Sequence, residues 1–169
     1  MDSAFRLSVA IPVDNEESVL PELLRRTCTA LDQVPRGRHE IVFVDDGTTD
    51  QTFAILEDAA RRDSRIVAIS LSRNFGHQAA LTAAPDHVTG DAAVVMDGDL
   101  QHLPEVIPQF VERYNQGYDV VCLCEASPPK GTVAAAPLLF CLLQVASWAF
   151  RCPPAFGFRR FRFDVAPSD

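Results

Sequence analysis

The run EIVFVDDGTTDQT (residues 40–52) begins as a strand and ends as a turn. Ile41, Val42, Phe43 and Val44 are apolar on both faces of an extended chain, the mark of a strand buried inside a parallel sheet. Two adjacent carboxylates, Asp45 and Asp46, stand at its exit, followed by Gly47 and small polar residues. One of them could cap the next helix, but hardly both, and carboxylates there are costly unless hydrogen-bonded or liganded. Asp50–Arg62 then reads as a helix burying Phe53, Leu56 and Ala60, with Thr49 or Asp50 as its N-cap.

On either side the same unit recurs. Further strands are predicted at Leu7–Ile11, Ile66–Leu71, Ala92–Met96 and Asp119–Leu123. Ser18–Leu31 is amphipathic, with Val19, Leu20, Leu23, Leu24 and Leu31 on one side and Arg25 and Arg26 on the other. Gly76–Val88 is a helix that Pro85 bends or ends early, and Pro104–Gln116 is one closed by Gly117. Strand and helix in alternation, with short connections, predict an α/β fold with a doubly wound, mainly parallel sheet.

The chain has 169 residues, 47% hydrophobic and 22% charged, which fits a globular domain with a real core. A net charge of −8 argues against nucleic-acid binding, which needs a basic surface. The charge is uneven: 10 basic and 21 acidic residues up to Glu125, then 5 basic and 2 acidic. Cys28, Cys122, Cys124, Cys141 and Cys152 include no Cys-x2-Cys pair, so neither a zinc site nor a disulfide framework is expected. MDSAFRLSVAIP carries no signal-peptide pattern, and the reading is a cytoplasmic, reducing environment.

The boundary falls near residue 125, giving a 1–125 domain and a 126–169 tail. Thr132–Phe150 has no formal charge and reaches the lower limit for a membrane span, against which Pro137 and Gln144 count. FGFRRFRF (residues 156–163) alternates aromatic and basic residues. The tail reads as a membrane-interfacial segment, a buried helix or a poorly folded end.

Three loops sit at predicted strand exits, where open α/β sheets bind ligands. In Pro12-Val13-Asp14-Asn15-Glu16-Glu17, Asp14 or Asn15 could serve simply as a helix N-cap. The second loop is Asp45–Asp50. The third is Asp97-Gly98-Asp99-Leu100-Gln101-His102, where carboxylates two apart suit a hard divalent cation that also takes phosphate oxygens. A nucleoside diphosphate would be repelled by Asp45, Asp46, Asp97 and Asp99 unless a cation lay between them. No Gly-x-Gly-x-x-Gly and no Walker lysine loop offers another phosphate cradle.

VAIPVDNEE, EIVFVDDGTTDQT, ISLSRNFGHQAALTA and VVMDGDLQHLPEVIP together resemble family 2 glycosyltransferases of the GT-A, nucleotide-diphospho-sugar transferase-like fold. The closest resemblance is to the group of dolichol-phosphate mannose synthase and undecaprenyl-phosphate glycosyltransferases, over about Leu7–Val121. That resemblance implies a metal-dependent transfer of a sugar from a nucleotide-diphosphate donor to a polyprenyl (undecaprenyl or dolichyl) phosphate at the inner membrane face. It implies that Pro12, Asn15 and Glu16 line the nucleotide pocket, that Asp45 reaches the base and that Asp46 supports the site. Arg73, Asn74 and Phe75 would close beside the donor. Asp97 would contact ribose or sugar, Asp99 would bind Mg2+ or Mn2+, and Gln101 would lie next to the metal. Asp97 and Asp99 are the catalytic pair on this reading. His77 and His102 are read as surface or supporting residues.

The chain departs from the family pattern at several places. Asp14 stands where the family has an aromatic, Pro85 replaces an ordinary helix residue, and Glu125 stands where an arginine helps hold phosphate. LLFCLLQVAS and FGFRR resemble eroded acceptor-site segments, which implies an incomplete acceptor half, truncated or degenerate after about residue 123. The alternative function is therefore an inactive relative that still binds nucleotide sugar. A haloacid-dehalogenase-like phosphatase reading of MDGDL fails on position, because that loop belongs after a first strand.

Overall fold

β1 (Leu7–Val13) and β2 (Glu40–Asp45) are buried along their whole length and pair in parallel, Ser8 opposite Glu40 through Val13 opposite Asp45. A computed structural model of the chain describes residues 5–35, 37–101, 103–118, 120–124 and 163–167. β3 (Ile66–Ser70) joins β2 and β4 (Ala92–Val95) joins β1, both in parallel, giving the sheet order β3-β2-β1-β4. The helices are α1 (Leu20–Asp32), α2 (Thr52–Arg62), α3 (His77–Ala83) and α4 (Ile107–Asn115).

Alternation along the strands divides the core between two faces. Ala10, Val42 and Val44 face α3, packing with Ala80 and Ala84. The opposite face carries Val9, Ile11, Ile41 and Phe43, all fully buried, and α2 lies against β2 and β3. The predicted α/β, doubly wound parallel sheet is therefore present. Its edges are wetter than their apolar sequences imply: Val67 on β3 and Val95 on β4 are both exposed.

Several local expectations change. α1 starts at Leu20, after the Glu16 carbonyl accepts the Val19 and Leu20 amides, so neither Asp14 nor Asn15 caps it. Thr27 and Ala30 join Leu20, Leu23 and Leu31 on its buried face. α2 starts at Thr52, whose amide donates to Asp50 Oδ1 (2.9 Å); Leu56 is fully buried, whereas Phe53 and Ala60 are only partly so. Pro85 does end α3, and the chain continues as a 3-10 turn over Ala84–Asp86. A second 3-10 turn, Pro104–Val106, precedes α4, and Gly117 (φ +92°) follows it.

The chain forms two compact units, Met1–Pro108 and Gln109–Asp169. In the second, β5 (Val120–Cys124) pairs in parallel with β6 (Phe163–Pro167). The predicted fifth strand thus exists, but among the described residues its partner is β6 and not the four-stranded sheet. The apolar run 132–150 and residues 156–162 lie outside the described residues.

At the amino ends of the strands, a buried carboxylate closes the sheet. Glu40 accepts hydrogen bonds from Ser8 Oγ (2.6 Å), the Thr89 amide (2.6 Å), Thr89 Oγ1 and Arg6 Nη2 (2.7 Å). Burial pushes its pKa up, but those donors and the Arg6 charge together hold it below the usual glutamate range. The folded state then binds this proton less tightly than the unfolded one, so the stabilisation is present above about pH 4.5 and is lost on acidification. Glu40→Ala strands four donors and is expected to cost about 2 kcal/mol at pH 7. Denaturant unfolding at pH 7 and pH 3.5 checks this, because the deficit should shrink at the lower pH.

Candidate functional site

Four strand exits build one edge of the sheet. Pro12 and Val13 end β1, Asp45 ends β2, Ser70 ends β3, and Met96–Gln101 follow β4. Asp45 and Asp46 are each only 2% exposed. Asp45 uses both oxygens, accepting from the Thr48 amide (3.1 Å) and from Ser70 Oγ (2.8 Å). Asp46 Oδ1 accepts the Phe75 amide (2.8 Å), while its Oδ2 is buried with no partner. Neither caps α2, although one of the two could have done so by sequence; the residue before the helix is Gln51, with no side-chain cap. Asp45 is consumed by loop structure, and Asp46 keeps an oxygen for something else.

Two glycines let the loops close on one another. Gly47 has φ +71°, and a Cβ there would lie 2.4 Å from the Arg73 carbonyl carbon and 2.5 Å from the Asn74 nitrogen. Gly98 rests on the end of β1, where a Cβ would lie 2.8 Å from Val13 Cγ1 and 3.0 Å from the Pro12 oxygen. The Pro12 carbonyl thus lies close against the Asp97–Asp99 turn.

Asn15 adopts φ +55°, a left-handed conformation that asparagine tolerates. Its Oδ1 accepts from the Thr49 amide (3.0 Å) and Thr49 Oγ1 (3.1 Å), joining the first loop to the second. The Glu16 amide donates to Thr52 Oγ1 (2.8 Å). The Glu16 carboxyl is pushed above the usual range, first by burial and then by the negative charges of Asp99, Asp14 and Asp50. Four carboxylates, Glu16, Asp14, Asp50 and Asp99, thus share this rim.

In the third loop, Asp99 Oδ1 accepts the Gln101 amide (2.9 Å), and Leu100 between them is left-handed at φ +62°. Asp97 is partly buried and lies 3.4 Å from His77 Nε2, at the first position of α3. His77, expected at the surface or in support, stands beside a predicted site carboxylate. The Arg73 guanidinium stacks over the Phe75 ring, 4.6 Å from its centroid. His102 lies outside the described residues. Among the described residues, no three His, Cys, Asp or Glu side chains are grouped so as to hold a metal ion by themselves.

Sequence reading missed the polar residues that organise this edge, namely Thr48, Thr49, Asp50, Thr52 and Ser70. Only the small polar run after Asp46 hinted at them. A cleft of about 690 Å³ lies at the other end of the sheet, lined by Arg6, Asp32, Arg38, His39, Glu40 and Arg65 among others. Its charges are largely spent on each other, Arg6 on Glu40 and Arg65 on Asp63 and Asp32, and none of the three acidic loops reaches it.

Comparison with known proteins gives the family and the fold. The family model described as glycosyl transferase family 2 matches residues 8–140. A protein of Pseudomonas aeruginosa (strain LESB58) named undecaprenyl-phosphate 4-deoxy-4-formamido-L-arabinose transferase is 52% identical over 116 residues, 68% of this chain and 34% of that protein. The chain spans about a third of the length of the curated relatives it matches. The structure of S. aureus TarS 1–349 in complex with UDP superposes with a TM-score of 0.60 at 25% identity, over 76% of this chain and 38% of that one. Glucosyl-3-phosphoglycerate synthase from Mycobacterium tuberculosis, in complex with Mn2+, UDP and glucosyl-3-phosphoglycerate, gives a TM-score of 0.58 at 23% identity. It covers 82% of this chain and 50% of that one, and the likeness is one of fold.

Proposed function

The chain belongs to glycosyltransferase family 2 and has the GT-A fold, and from that premise we propose that it transfers a sugar from a nucleoside-diphosphate donor to a polyprenyl phosphate. The observation that carries the reading is the acidic edge itself: burial and the charges of Asp99, Asp14 and Asp50 push the Glu16 carboxyl up, and Asp46 in the second loop keeps a buried oxygen without a partner. The undecaprenyl-phosphate acceptor in the relatives' name and the UDP bound by TarS supply the substrate classes.

Residues 1–125 form the donor-binding part on this reading. Pro12, Asn15, Glu16, Asp45 and Asp46 shape the nucleotide pocket, with Arg73 and Asn74 beside the diphosphate and Asp97 toward the ribose or sugar. Mg2+ or Mn2+ fits the donor set, since hard cations held by one or two carboxylates complete their shell with phosphate oxygens and water. Asp99 and Gln101 would hold it. When bound, such a cation neutralises charge on the departing diphosphate. Asp97 and Asp99 orient the donor, and the lipid phosphate attacks as an anion that needs little help from a base. The acceptor places the reaction at the membrane surface, with the protein peripheral on its cytoplasmic side. Among the described residues no helix is long and apolar enough to cross a membrane.

The experiment is a panel of UDP- and GDP-sugars with and without Mn2+, read by thermal shift and then by transfer to a short-chain prenyl phosphate. A donor at about a hundredfold over its dissociation constant should add about 2.7 kcal/mol of stability. Binding with transfer supports the reading. Binding without transfer favours the inactive relative, and no binding by any donor removes both.

A further inference from the structure

We propose that Asp14 is a positioning residue that latches the Arg73–Asn74–Phe75 segment across the donor site; the functional half of this proposal rests on the donor-binding reading above. Asp14 is exposed at the end of β1, yet both its oxygens are engaged. Oδ1 accepts from Asn15 Nδ2 (2.8 Å) and Oδ2 from Asn74 Nδ2 (3.0 Å), which is 60 residues away in the chain.

The link closes a ring. Asn74 Oδ1 accepts the Gly76 amide (2.9 Å), setting the turn into α3. The neighbouring Phe75 amide is held by Asp46 Oδ1 (2.8 Å), on the loop after β2. That loop returns through Thr49 to Asn15 and so to Asp14. Gly47, against the Arg73–Asn74 backbone, is a second seam between the same two loops. A segment fixed at Asn74, Phe75 and Gly76 leaves the Arg73 side chain one backbone to depart from, and the Phe75 ring beneath it narrows its choice further.

Charge makes the position informative. Another carboxylate at the mouth of a diphosphate site adds repulsion, and Asp14 is among the charges that raise Glu16. An acid there works against donor entry unless it does something else, and its two hydrogen bonds are that something. Aspartate supplies two acceptor oxygens at once, whereas asparagine supplies one.

The test uses the full chain, with Asp14→Ala and Asp14→Asn. Native-state trypsin cleavage after Arg73 reads the latch without ligand, and cleavage after Arg62 at the end of α2 is the internal reference. Titration with UDP in Mn2+ reads positioning. Asp14→Ala should speed cleavage after Arg73 about fivefold with Arg62 unchanged, and weaken UDP by a similar factor. Asp14→Asn should fall between alanine and wild type in both. An unchanged Arg73 cleavage rate in Asp14→Ala overturns the latch, and faster cleavage with unaltered UDP affinity overturns the positioning role. If wild type binds no UDP, the donor reading fails and takes positioning with it, while the cleavage arm still decides the latch.

Discussion

Asp99→Asn is expected to lower sugar transfer by about 100- to 1000-fold while leaving the melting temperature within a degree or two of wild type. The magnitude is that of removing one group preorganised toward charge that develops in the transition state. The choice of asparagine separates two roles. As an ordinary turn residue, Asp99 needs only Oδ1 to accept the Gln101 amide, which an amide oxygen does equally well. As a cation ligand it needs its negative charge, which asparagine lacks. Transfer kinetics together with thermal denaturation check both halves. Loss of transfer with a large fall in stability would return Asp99 to the turn.

The second large effect is structural. Gly47→Ala forces a left-handed residue to carry a Cβ, at a cost of about 1–2 kcal/mol, and drives that Cβ into backbone atoms of Arg73 and Asn74. The backbone there cannot retreat freely, because Asp46 holds Phe75 and Asp45 holds Ser70. Overpacking adds a further 1–3 kcal/mol, roughly. A total of about 3 kcal/mol should lower the melting temperature by roughly 6–12 °C. Gly117→Ala is the control, since Gly117, just past the end of α4, also has positive φ (+92°) but a Cβ there would meet nothing within 4 Å. It should cost only about 1 kcal/mol. Equal losses in the two variants would show that close approach at Gly47 carries no energy.

How much of this was legible beforehand varies with the range of the cause. The four sheet strands declare themselves through short, mostly apolar runs rich in Val and Ile, and their ends fall within two residues of expectation. β1 runs on to Val13 because Pro12 sits in the strand opposite Val44 and the Val13 carbonyl then accepts the Asp46 amide. Proline read as punctuation hides that. The break at Pro85 was visible because its cause is local. The partner of β5 was not, since pairing with Phe163–Pro167 spans some forty residues of chain.

The site shows the same division. Two carboxylates with one capping task marked the Asp45–Asp46 loop from sequence alone. Capping by Asp14 or Asn15 is the local option for the first loop, and the structure instead gives the Asn15 side-chain oxygen to a distant partner, Thr49. By sequence Asp14 is only an absent aromatic; its bond from Asn74, 60 residues away, is set by the fold. The position of His77 beside Asp97 likewise depends on where β3 and β4 lie in the sheet, which no pattern within either segment reveals.

The most direct measurement is the affinity of the wild-type chain for UDP by calorimetric titration, once in Mn2+ and once in EDTA at equal ionic strength. A cation bridging the acidic edge to the diphosphate predicts binding at least about tenfold tighter in Mn2+, about 1.4 kcal/mol or more. Equal affinity in the two buffers would contradict it, because those carboxylates would then meet the diphosphate with nothing between them.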